Sequence, residues 1–132
     1  MSGLRWTITT TEIACAPNAL KTVLQIITPT SHHRISGLGW GIYFDSTSVQ
    51  AQPAQVRLLR QTTIGTMTGL TLVKENSSDR ETIQSSAAFN ATTEPTASDV
   101  IQRKDVHPQA GYEFLWPLGR ELPIPGGEKI GI

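Results

Sequence analysis

The sequence predicts an all-β fold: an antiparallel β-sandwich, jelly-roll-like, with little helix. Three observations carry that prediction. Short apolar runs alternate with polar residues at a period of two, the spacing at which side chains share one face of a strand. Turn-forming residues separate the runs at intervals suited to a sandwich. Charged residues make up only 17% of the chain, against a usual ~25%. Thr, Ser, Gln and small residues fill the difference, and they suit strands with one wet face.

A chain of 132 residues has the length of one domain and can bury a core without disulfides or metal. Residues 1–20 read as an extended arm or first strand, and residues 21–132 as a single sandwich domain.

The elements follow in order. RWTITT (5–10) alternates through Trp6 and Ile8. KTVLQIIT (21–28) is rich in β-branched residues and stops at Pro29. In GLGWGIYF (37–44), Leu38, Trp40, Ile42 and Phe44 fall on one face. Gly37, Gly39, Gly41 and Tyr43 fall on the other, which is therefore nearly bare and open to close approach. DSTSVQAQPAQ (45–55) is a loop, because Pro53 cannot donate to a central ladder. In QVRLLRQTT (55–63), Val56 and Leu58 share one face and Arg57, Leu59 and Gln61 the other. IGTMTG (64–69) reads as a turn before the strand LTLVK (70–74).

TIQSSAAFN (82–90) is a weaker strand. Ser98 or Asp99 offers an N-cap, so SDVIQRKD (98–105) is expected to hold one helical turn. GYEFLWP (111–117) is a strong strand ending at Pro117. ELPIP (121–125), with two prolines, must be an edge or irregular. EKIGI (128–132) follows the turn PGG. It reads either as a strand that has just begun, in a chain that continues further, or as a very short edge strand. Continuation is the expectation, since strands usually run ~5–6 residues or more.

Bulk charge narrows the function. Eleven basic and eleven acidic residues cancel, so a basic nucleic-acid footprint is missing and no nucleic-acid partner is expected. The N-terminus lacks the apolar core of a signal peptide, and no run nears the ~20 apolar residues of a membrane helix. Synthesis in a cytosol without membrane insertion is expected. Cys15 is the single cysteine, which excludes an intrachain disulfide and cysteine-rich zinc sites. It reads as a small packing residue.

Chemistry-bearing residues are scattered. His32 and His33 are adjacent, and on a strand they point to opposite faces, a poor arrangement for sharing one metal. His107 has Asp105 nearby but no nucleophile motif such as GxSxG. KENSSDRE (74–81) lacks the order of a calcium loop, and the Gly-rich pieces GLGWG and PGGEKIG lack the context of a phosphate loop. The expectation is a protein without enzymatic activity, catalytic residues, metal or cofactor. The residues best suited to an interface are Trp6, Gly39, Gly41, Arg57, Arg60 and Trp116, since aromatics and Arg anchor interfaces and bare glycines admit close contact. Trp6, Trp40 and Trp116 support an alternative, a carbohydrate-binding sandwich that stacks sugars on aromatic rings.

Most of residues 20–132 also look familiar. WGIYFDSTSVQAQPAQVRLLRQTTIGTMTGLTLVK and HPQAGYEFLWPLGRELPIPGGEKIGI carry the motifs GWG, QVRLLRQT and PLG-x-E-x-x-x-PGG. In these the chain resembles the small all-β capsid cement (decoration) and minor head proteins of tailed bacteriophages. The resemblance implies a virion structural protein on the outer surface of the capsid. It further implies that the partner is the major capsid protein and that the chain forms a β-sandwich or jelly-roll homotrimer near three-fold lattice positions. It brings no ligand residue with it.

Overall fold

The computed structural model describes residues 4–14, 20–29, 34–44, 54–107 and 109–132. Cys15, His32, His33 and Pro53 lie outside the described residues.

Twelve antiparallel strands and no helix make up the described chain. They are β1 (Trp6–Thr7), β2 (Leu24–Ile27), β3 (Ile35–Gly37), β4 (Gly39–Tyr43), β5 (Ala54–Gln61) and β6 (Thr66–Leu70). Then come β7 (Val73–Lys74), β8 (Ser86–Thr93), β9 (Ala97–Val106), β10 (Gly111–Leu115), β11 (Leu122–Ile124) and β12 (Lys129–Gly131). Six of them form one sheet in the order β6-β8-β2-β12-β5-β9, and the others pair as β1-β7, β10-β4 and β11-β3.

The core shows how these pieces stack. Leu58 on β5, Ile130 on β12 and Ile124 on β11 are the buried centre. Ile101 and Ile132 join from the large sheet, and Ile35, Trp40, Trp116 and Leu122 join from the short ladders. Apolar side chains from two sheet layers thus meet face to face, which is the sandwich that the period-two pattern predicts.

The segment 35–43 and the segment 111–124 form one ladder with an interruption. Gly39 faces Leu115 and Gly37 faces Leu122, so residues 117–121 must loop out between β10 and β11. Trp116 N–H still bonds Leu38 O at 3.0 Å, and Gly119 takes φ +84° in the loop. The interruption moves Leu38 off the core face, where alternation placed it, to 46% exposure. Trp40 and Ile42 do face inward, with Gly39, Gly41 and Tyr43 outward.

Three further expectations are corrected. Residues 97–106 form a strand, not a helical turn. Their cross-sheet pairing with β5 outweighs the local cap at Ser98 or Asp99, and two register shifts break the period-two pattern that would have revealed it. TMTGL is strand β6 rather than a turn, because β8 supplies a ladder partner. β12 is not at an edge: it lies between β2 and β5 and pairs with both. ELPIP does sit in a two-stranded ladder, as its prolines require.

The second face of the large sheet carries buried polar side chains. Gln25 is fully buried and Gln61 nearly so. Gln25 Nε2 donates to Gln61 Oε1 at 2.8 Å and to Thr63 O at 3.1 Å. Gln61 Nε2 donates to Thr22 Oγ1 at 3.1 Å, whose hydroxyl donates to Glu94 at 2.7 Å. A run of donors and acceptors this deep fixes one register, because a slip would strand several buried polar groups.

Candidate interaction surface

The outward face of the β4-β10 ladder is the exposed surface that the sequence marks most clearly. Its glycines are not bare. Leu115 lies over Gly39, Glu113 over Gly41, and the Tyr43 ring over Gly111, so a Cβ at any of the three would crowd the neighbour across the ladder. Each cross-strand pair therefore carries one side chain, and the face becomes a flat row of Leu115, Glu113 and Tyr43.

That row is wet and largely apolar. Leu115 is 79% exposed and Tyr43 69%. Just beyond the ladder in the chain, Leu38 and the loop residue Leu118 are exposed too, Leu118 at 97%. Across the row the Tyr43 hydroxyl donates to the Glu113 carboxylate. That bond raises the phenol above its ordinary range, and ionising it would set a second negative charge beside Glu113. Below the face, the ladder is anchored to the large sheet. Trp40 Nε1 donates to Gln102 Oε1 at 2.8 Å, and the Trp40 and Tyr112 rings meet edge-on at 5.5 Å. Lys104 Nζ lies 5.5 Å from the Tyr112 centroid. The ladder is thus tied to the large sheet through Trp40 and Tyr112.

The interface residues expected from sequence do not converge. Gly39 and Gly41 lie on this face, beneath their neighbours. Trp116 follows β10 but turns inward, edge-on to Phe114 at 5.1 Å and packed on the core. Arg57 stands on β5 with its Nε donating to Gln55 at 2.7 Å. Arg60 is spent on ion pairs with Glu128 at 3.4 Å and Asp99 at 3.8 Å. Trp6 is half-buried on β1, opposite Lys74. Two of the three tryptophans, Trp40 and Trp116, are therefore core anchors, and the argument for a sugar platform made of all three falls away.

Sequence reasoning missed Leu115 and Leu118. A signal was present: Leu118 stands between Pro117 and Gly119, in a turn where nothing local requires an apolar residue.

Other chemistry is sparse. His107 accepts a bond from Gln109 N–H at 3.1 Å and is exposed. Among the described residues no group of three or more His, Cys, Asp or Glu is placed to hold a metal ion. The best-formed depressions are open and shallow, along β9 at residues 98–103 and around Leu72, Val73, Lys74, Ser77, Thr82 and Ile83. Comparison with models of protein families, with curated proteins and with solved structures finds no match.

Proposed function

We propose that the chain is a virion structural protein of the cement or decoration type, made in the host cytoplasm and bound to the outside of a capsid. Its partner in this reading is the major capsid protein, and it binds as a homotrimer near three-fold positions. One structural observation supports it most: Leu115 and Tyr43 stand exposed on the outward face of the β4-β10 ladder, and Leu38 and Leu118, close by in the chain, are exposed as well. Large apolar side chains gathered on one face mark a docking surface more often than chance exposure. A protein that clamps a lattice needs shape and area of this kind rather than reactive groups. The partner named here rests on the resemblance of GWG, QVRLLRQT and PLG-x-E-x-x-x-PGG to phage cement proteins.

The reading predicts that decorated capsids withstand heat better than bare ones. Capsids with and without the protein are heated, and genome release is followed with a DNA dye. Release at a higher temperature from decorated particles is the expected result, because a ligand of the assembled state stabilises that state. Identical release curves at saturating protein would remove the cement role.

A further inference from the structure

The two edges of the six-stranded sheet are built differently. β9, at one end, exposes Asp99, Arg103, Lys104 and Asp105 and shifts register twice against β5. Charges and bulges of this kind keep an edge from pairing with another strand. β6, at the other end, has β8 on one side, with one register shift whose extra residues lie on β8, and, among the described residues, no strand on its outer side. Its sequence TMTGL contains no charge and no proline. Thr66, Thr68 and Gly69 are exposed, and no atom lies within 4 Å of the place a Gly69 Cβ would occupy.

We infer that β6 is an interaction edge whose occupant is β6 of a second copy, paired antiparallel about a two-fold axis at Thr68. Between the two edges of the large sheet, charge favours this pairing. β6 against β6 sets no charge opposite a charge, whereas either pairing that uses β9 brings its kinked, charged row into the ladder. The register also matches itself. With Thr68 opposite Thr68, Thr66 faces Leu70 and Met67 faces Gly69. Met67 and Gly69 share one face of the strand, so each Met67 side chain enters the open space above the partner's Gly69. Thr opposite Thr is itself a favourable cross-strand pair. The contact joins copies two by two, and it stands whether or not the lattice reading holds, since it uses neither Leu115 nor Leu118.

A disulfide trap tests the register. In the full chain with Cys15→Ser, single variants Thr68→Cys and Thr66→Cys are oxidised with copper phenanthroline and run on a non-reducing gel. Both positions are exposed, so neither variant disturbs the core, and circular dichroism checks the fold. On the two-fold axis the Thr68 Cα atoms stand about 4.5–5.5 Å apart, within disulfide reach. The two Thr66 positions are four residues out of step, roughly 13 Å apart, beyond it. The expected result is a covalent dimer with Thr68→Cys that forms at least about tenfold faster than with Thr66→Cys, because only the first pair meets disulfide geometry. Equal rates at both positions, or no dimer at either, would overturn the inference. A thiol at 68 that stays monomeric alone and becomes protected from alkylation only on adding capsids would also overturn it, in favour of a capsid strand at the same edge.

Discussion

Gly131→Ala lowers the stability of the folded chain by about 3 kcal/mol, the joint cost of overpacking and of broken buried hydrogen bonds. The Gln61 side chain lies where the new methyl would go. Gln61 cannot swing aside freely. It accepts from Gln25 at 2.8 Å and donates to Thr22 at 3.1 Å, and both it and Gln25 are buried. Moving it strands amide groups that water cannot reach. Urea unfolding reads the effect as a lower midpoint at unchanged slope. A double substitution supplies the control. Gln61→Ala in the Gly131→Ala background removes the collision, so the pair costs less than the sum of the two single changes. A Gly131→Ala variant within about 0.5 kcal/mol of the parent, the range of an ordinary surface change, would show that β12 does not pack against this polar network.

The second large effect is at the centre of the sandwich. Leu58→Ala costs about 2–5 kcal/mol, the range for deleting a buried leucine side chain and leaving a cavity. Leu58 is 3% exposed and packs with Ile124 and Ile130, from the opposed layer and the neighbouring strand. Leu118→Ala is the matched comparison. The same atoms are removed from a residue that is 97% exposed, so stability should change by less than about 0.5 kcal/mol. Thermal melts of the two variants separate them directly. If Leu118→Ala were as costly as Leu58→Ala, the loop 117–121 would have to be packed rather than projecting.

The contrast between these leucines also shows what a sequence can reveal. Period-two patterning located the strands and their inward faces at Trp40 and Ile42 and at Val56 and Leu58, because burial of one face is a local signal repeated along each strand. It could not place Leu38, since the change of ladder partner there depends on residues 115–122, far along the chain. β9 was hidden for a related reason: its bulges break the alternation, and its pairing with β5 is non-local. β8 contains a comparable irregularity at Asn90, with φ 58°, a conformation that Asn tolerates better than most residues. Buried Gln25 and Gln61 look like solvated positions in the sequence. Only the fold brings the two amides together and sets Gln61 against Thr22.

The candidate surface was legible in part for the same reason. The alternation of Gly39, Gly41 and Tyr43 pointed to an unusual outer face. The side chains that cover it come from β10, across the ladder, and their identity depends on the register. The tryptophans are ambiguous in the sequence because size and aromaticity serve a core as well as an interface. Trp40 and Trp116 took the first role.

The central proposal is that this exposed apolar face docks on a capsid, and co-sedimentation tests it most directly. Bare capsids of a phage whose genome carries this sequence, as the proposal requires, are mixed with increasing amounts of the chain, pelleted, and the bound protein is measured. Saturable binding is predicted, weakened by Leu115→Ser combined with Leu118→Ser, two exposed substitutions that leave the fold intact. Each replaces an anchor of the patch with a small polar residue, and a fall in affinity of about tenfold or more is the expected loss for such anchors. Protein that stays in the supernatant at every concentration, or binding indifferent to both substitutions, would contradict the account.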